Sequence, residues 1–320
     1  MKASVIILTK NAGSRFDKVL EAVLDQETGW QYEVLVVDSG STDSTVEYVE
    51  SKQAVRLHQI PAGEFGHGKT RNLAISLTTG EYAAMLTHDA MPVNKTWLAE
   101  LVSAVEQSED VAGAFGRHIA YQHDGPFLAR DLHQHFDGFL QCPQIVRRDD
   151  EDRYQREAGY RQFLHFFSDN NACLRRSVWE EIPYPEVDFA EDQLWAKNII
   201  EAGYAKAYAD KAVVYHSHSF GSIELCRRSF DESLALQRLF GYQLCPTVLQ
   251  MLAQSYRTTA NDFMYLRENR GVIANLRWLI RAPFLNIAKQ LGYYLGQRAE
   301  RFPNRVVNFI SRDMSLQRKN

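Results

Sequence analysis

A repeating rhythm in the first hundred residues constrains this chain most. Short, solid apolar runs each stop at a polar turn and are each followed by helical spacing. Val5-Ile-Ile-Leu8 stops at Thr9-Lys-Asn-Ala-Gly13, and Phe16, Val19, Leu20, Val23 and Leu24 then recur at helical intervals. Val34-Leu-Val-Val37 stops at Asp38, ahead of the hydrogen-bonding turn Ser39-Gly-Ser-Thr-Asp43. Ser44-Thr-Val-Glu47 after it fits a capping box. Residues 82–86 stop at Thr87-His-Asp89, and Pro92 bars the strand from continuing, although periodicity alone does not separate such a run from a buried helical turn. Strand–helix–strand–helix in this order predicts a doubly wound, mostly parallel α/β sheet flanked by helices. Ligands of such sheets bind beyond the carboxyl ends of the strands. Asp38 and Asp89 are therefore expected on one rim, one to read a nucleotide base or ribose and the other to hold a metal. Asp89 as a simple turn former is the structural alternative.

At 320 residues the chain accommodates this sheet domain, assigned to 1–220, and a helical region, 221–320. Charge divides the same way. Residues 221–320 carry 15 Lys and Arg against 7 Asp and Glu, and the rest carry 21 against 33. Cys142, Cys173, Cys226 and Cys245 show no CxxC spacing, which argues against a zinc site or a disulfide framework. The apolar start is too short for a signal peptide, and no run approaches a bilayer-spanning length. These features set the expectation of a cytoplasmic protein that does not bind nucleic acid.

Residues 63–70, Gly-Glu-Phe-Gly-His-Gly-Lys-Thr, match the P-loop pattern. A P-loop follows a buried strand, however, and residues 54–60 alternate as an edge strand does. The other reading is a glycine-rich loop running into a helix, with Arg71 one turn inside and able to meet a phosphate. Residues 117–165 lose the rhythm and scatter five histidines among charges. Order returns at Ser168-Asp-Asn-Asn171 and again at Glu191-Asp192-Gln-Leu-Trp195, where both acids occupy a helix's first turn. The helix dipole favours negative charge there, so a structural role competes with that of a general base. His216-Ser-His218 ends a last strand, residues 212–215, and its imidazoles are candidates to complete a metal site begun by Asp89.

Together these segments resemble the family 2 glycosyltransferases of the GT-A fold, most closely the bacterial rhamnosyltransferase-type members. The likeness is carried by Ser4-Val-Ile-Ile-Leu-Thr-Lys-Asn11, Val37-Asp38-Ser-Gly-Ser-Thr-Asp43, Phe65-Gly-His-Gly-Lys-Thr-Arg71-Asn72, Leu86-Thr-His-Asp89-Ala90, Glu191-Asp192-Gln-Leu-Trp195 and Val214-Tyr-His-Ser-His218, over residues 3–235. The resemblance implies that Thr9 and Asp38 contact the base, with Arg71 at the base or diphosphate and Lys69 and His88 on the nucleotide-sugar side. Asp89 is then the metal-ligating member of the family's Asp-x-Asp motif, whose first Asp is here Thr87. His216 or His218 is a further ligand of Mg²⁺ or Mn²⁺. Asp192 is the general base, with Glu191 second, and Asn170, Asn171 and Trp195 are acceptor-side candidates.

The implied reaction is inverting transfer of a sugar, L-rhamnose being the favoured one, from a nucleotide-diphospho sugar to a saccharide or lipid-linked acceptor in surface polysaccharide (O-antigen) synthesis. A P-loop kinase or NTPase and a non-catalytic nucleotide-sugar binder are the rivals. Residues 271–298 mix aromatic, apolar and basic side chains at helical spacing. They point to peripheral contact with the inner face of the cell membrane, or to packing or a homodimer.

Overall fold

The computed structural model describes residues 1–187, 189–269 and 275–312. The chain divides into two compact units, Met1–Ser217 and His218–Asn320. The strands of the first unit are β1 (Ala3–Thr9), β2 (Tyr32–Asp38), β3 (Val55–Gln59), β4 (Tyr82–Thr87), β5 (Met91–Pro92), β6 (Val111–Ile119), β7 (Ile145–Val146), β8 (Asn171–Arg175) and β9 (Ala205–Tyr215). Its helices are α1 (Arg15–Leu24), α2 (Thr45–Glu50), α3 (His67–Ser76), α4 (Trp97–Glu106), α5 (Pro126–Leu140), α6 (Glu151–Arg156), α7 (Ala158–His165), α8 (Arg176–Glu181) and α9 (Glu191–Glu201).

The sheet runs β3-β2-β1-β4-β8-β6-β9-β5, with β7 also on β9. The apolar runs of β1, β2 and β4 are continuous because both faces are covered. Val5, Ile7, Val34, Val36, Ala84 and Leu86 pack under α1 and α4, through Phe16, Val19, Trp97 and Leu101. Ile6, Leu35, Val37, Ala83 and Met85 face the other layer, with Ile75 of α3 and Trp195, Ile199 and Ile200 of α9. β3, β2, β1 and β4 are parallel, as expected. β8 then runs antiparallel to both β4 and β6, so the sheet is more mixed than the rhythm implies. Two reversals restore the original direction, and β6 and β9 again end on the same edge as β1, β2 and β4.

Two local expectations change. Ser44 makes no side-chain cap on α2; Asp43 does the work, its Oδ1 accepting from the Thr45 backbone N–H at 3.1 Å. The last strand, β9, is longer than residues 212–215, and a register shift against β6 interrupts its pairing. Gly116 pairs with Ala209, but Arg117 pairs with Val213.

The second unit holds α10 (Ser222–Phe240), α11 (Val248–Asn269), α12 (Leu276–Gly296) and α13 (Asn304–Ile310). α12 packs on both α10 and α11. Of the segment 271–298 singled out in the sequence, residues 271–274 lie outside the described residues. No described helix is long and apolar enough to cross a membrane.

Candidate active site on the carboxyl rim

The strand directions place Thr9, Asp38, Asp89 and His216 along one edge. β8 runs the other way, so its first residue, not its last, reaches this edge: Asn171 pairs with Leu86, three residues before Asp89. Asp169 and Asn170 precede it on the same rim. The Asp169 backbone N–H donates to Asp192 Oδ2 at 3.3 Å, which ties the start of α9 to that edge as well. Asp89 and Asp192 are thus on one rim.

Asp89 stands just past β4, its Oδ1 3.6 Å from His216 Nε2. Tyr121 donates its hydroxyl to the Asp89 carbonyl at 3.0 Å and stacks on Tyr215 at 5.5 Å. The guanidinium of exposed Arg15 lies 4.6 Å over the Tyr121 ring. Neither Arg15 nor Tyr121 carried a sequence signal. Behind His216 lies His118, buried, ring centroids 5.3 Å apart, with Nε2 unpartnered; burial, then His216 and His135, holds its pKa well below the usual imidazole range. Thr87, at the first position of the Asp-x-Asp motif, has a buried hydroxyl without a partner. His218 follows two residues after His216, where the second unit begins, and stacks on Phe220 at 5.6 Å.

A second cluster surrounds the other acid. Arg71 is buried, with Nη1 2.5 Å from Glu191 Oε1 and Nε 3.0 Å from Asp169 Oδ2. Asp169 Oδ1 also accepts from the Tyr184 hydroxyl at 2.6 Å. Burial alone lowers the Arg71 pKa, but Glu191 and Asp169 outweigh it and hold the guanidinium charged. Arg71 faces three carboxylates, Glu191, Asp169 and Asp192. Burial, then repulsion from Glu191 and Asp169, pushes Asp192 well above the usual carboxylate range. The dipole argument for an ionised Asp192 is therefore outweighed by desolvation and like charge. Ala190, just before the pair, sits at φ 57°, a left-handed conformation that is strained for a residue with a Cβ. Asp192 is partly exposed.

Several expected site residues take other roles. Arg71, 7% exposed, has its Nε and Nη1 taken by Asp169 and Glu191. Glu191, locked in that pair, is poorly suited as a base. Asn171 is fully buried: Oδ1 accepts from Trp97 Nε1 at 2.8 Å, and Nδ2 donates to Ala212 and Arg117 carbonyls at 2.8 and 3.2 Å. It stitches the bulge between β6 and β9. Gly116 is needed beside it, because a Cβ there would stand 2.2 Å from the Ala212 carbonyl oxygen. Trp195 is also fully buried, donating to the Ile182 carbonyl at 2.8 Å. Neither Asn171 nor Trp195 can touch an acceptor, whereas Asn170 is partly exposed. Thr9 and Asp38 are 3% and 1% exposed. Asp38 accepts from Thr9 Oγ1 at 2.9 Å, Ser41 Oγ at 2.5 Å and the Gly40 and Ser41 backbone N–H groups at 3.0 and 2.8 Å. It holds the turn after β2 and has no free lone pair for a base. Lys69 is exposed and His88 partly so.

The P-loop reading fails on position. β3, the strand before residues 63–70, is the sheet's edge. Gly68 is explained by packing, since a Cβ there would lie 2.1 Å from the Pro185 carbonyl oxygen.

A family model described as Glycosyl transferase family 2 matches residues 4–182. The O-antigen chain rhamnosyltransferase RfbN of Salmonella typhimurium is 30% identical, spanning 97% of this chain and 94% of that one. The O-antigen chain rhamnosyltransferase WbaN of Salmonella anatum is 29% identical over 96% and 93%. Among solved structures, mannosyltransferase PcManGT from Pyrobaculum calidifontis, in complex with GDP-Man and Mn²⁺, superposes with TM-score 0.59 at 16% identity, covering 93% of this chain and 86% of that one. Residues 1–349 of S. aureus TarS with UDP-GlcNAc superpose with TM-score 0.52 at 17% identity over 94% and 92%. The chain thus shares its fold with nucleotide-sugar enzymes.

Proposed function

The chain belongs to glycosyl transferase family 2 and is a glycosyltransferase, and we propose that it moves L-rhamnose, with inversion, from a nucleotide-diphospho sugar to a saccharide or lipid-linked acceptor in bacterial O-antigen synthesis. One observation carries the mechanism: Asp89 with His216 and, separately, Asp192 lie on a single rim.

Asp89, His216 and His218 are the group of carboxylate and imidazole donors suited to a divalent cation among the described residues. Mixed oxygen and imidazole ligands fit Mn²⁺ better than Mg²⁺, and the unpartnered Thr87 hydroxyl adds a further oxygen nearby. When bound, the cation neutralises charge on the departing diphosphate. The chain's own residues do the rest. Arg15, exposed beside the Tyr121–Asp89 contact, supplies the guanidinium for the diphosphate that Arg71 cannot. Buried Thr9 and Asp38 serve the nucleotide by holding the turn after β2, and Lys69 and His88 are the candidates for contact on the nucleotide-sugar side. Arg71 fixes Asp169 and Glu191, and so positions Asp192. Asp192 takes the proton of an acceptor hydroxyl as its oxygen attacks the anomeric carbon from the face opposite the diphosphate, whose bond to that carbon breaks with inversion. Asp192 does this in its ionised form, which its raised pKa confines to the higher part of the pH range, so transfer should rise as pH rises through that value. With a lipid-linked acceptor the enzyme works as a peripheral protein at the cytoplasmic face of the membrane.

A thermal-shift panel of nucleotide sugars with Mn²⁺ tests this reading, because a ligand that binds only the folded state raises its melting temperature. A dTDP-linked rhamnose should stabilise the chain more than UDP- or GDP-linked sugars. A panel in which no nucleotide sugar stabilises it would remove the donor from the account.

A further inference from the structure

α12 has three sides with different surroundings. One lies against α10 so closely that a Cβ on Gly292 would stand 2.3 Å from the Cys226 carbonyl oxygen, and one on Gly296 2.4 Å from that of Phe230. Another meets α11, where Asn286 donates to Asp262 at 2.8 Å and to Thr259 at 3.1 Å. The third side carries Leu276, Ile280, Phe284, Ile287 and Leu291, spaced four, four, three and four residues apart, a single helical stripe. These side chains are 36% to 64% exposed. A stripe of this kind on a packed helix marks an interaction surface.

Charge narrows the partner. α12 carries Arg277, Arg281 and Lys289 and no acidic residue. Arg277 and Arg281, both exposed, occupy helix positions bordering the apolar stripe, and their guanidinium groups lie 5.2 and 5.3 Å from the Trp278 ring. Against a second copy, a two-fold contact would set this cation-rimmed face on itself with no acid on α12 to answer it. An anionic lipid surface answers both features. Apolar side chains enter the acyl boundary, and the guanidinium groups meet headgroup phosphates while their stems stay in the apolar layer.

We propose that the Leu276–Gly296 helix seats the enzyme on an anionic bilayer through this stripe, parallel to the surface and without crossing it. The proposal rests on the reading of a lipid-linked acceptor, and it can fail while that of a glycosyltransferase stands.

Vesicle flotation of the full chain tests it, using phosphatidylglycerol-containing vesicles against pure phosphatidylcholine. Wild type should float with the anionic vesicles and lose the association in high salt. Phe284→Glu should lose it, and Arg277→Gln with Arg281→Gln should weaken it by about tenfold or more. Both variants should keep the wild-type melting temperature and donor hydrolysis, which separates membrane seating from folding and from the chemistry. No flotation of the wild type, or flotation untouched by Phe284→Glu, overturns the proposal. So does a wild-type dimer that Phe284→Glu converts to monomer, since a second copy would then cover the stripe. Loss of donor hydrolysis in the wild type would instead count against the transferase mechanism and leave the surface intact.

Discussion

At the scale of single residues, the site divides acids by their company. Asp89 meets an imidazole, and Asp192 meets two more carboxylates and one guanidinium that is already engaged. Asp192→Asn should lower transfer about 10²–10⁴-fold, the usual share of a general base, with donor affinity unchanged. The same substitution should raise the melting temperature near neutral pH. The folded pKa of Asp192 is raised, so its contribution to stability is fully present below the ordinary carboxylate pKa and is lost as pH rises through the folded value. A neutral amide avoids that loss, so a pH series should show the two proteins diverging upward from acid. Arg71 and Arg15 make a matched pair. Arg71→Ala leaves two buried carboxylates uncompensated and should cost about 3–5 kcal/mol of stability. Arg15→Ala should leave the melting temperature unchanged and weaken inhibition by the nucleoside diphosphate product about tenfold. The sequence named Arg71 because it sits one turn into a helix after a glycine-rich loop. Nothing there announced Asp169, which reaches it only through the reversed strand β8. Asn171 and Trp195 were misassigned for a related reason, since a polar or amphipathic side chain beside an acidic motif looks exposed until its strand partners are known.

At the scale of elements, legibility followed burial. β1, β2 and β4 were readable as solid apolar runs because both of their faces are covered. β3 was readable as an edge because its residues alternate. β8 is short, opens on a buried Asn, and gave no apolar run, so the antiparallel reversal was invisible. β9 was cut short because Asp210 and Lys211 fall in its register shift with β6, a polar interruption that only Asn171 and Gly116 make sense of. The α3 loop separates packing from phosphate chemistry. Gly68→Ala should destabilise the fold by about 1–3 kcal/mol, because its Cβ would meet the Pro185 backbone. Lys69→Ala, on an exposed position, should change transfer only modestly. An ATPase activity abolished by Lys69→Ala would restore the P-loop.

At the scale of the molecule, the two units carry the two signs of charge seen in the sequence, an acidic sheet unit and a basic helical one. The charge asymmetry was legible from composition, whereas the exposed stripe on α12 needed the packing of its other two sides to be known. The central claim concerns the sheet unit: a cation held at Asp89 serves the donor, and Asp192 serves the acceptor from the same rim. Calorimetric titration of the nucleotide-sugar donor, with Mn²⁺ and with EDTA, into wild type, Asp89→Ala and Asp192→Asn tests it most directly. The account predicts binding that Mn²⁺ strengthens in wild type and in Asp192→Asn but not in Asp89→Ala. Equal donor affinity in all three, with Mn²⁺ and with EDTA alike, would contradict it.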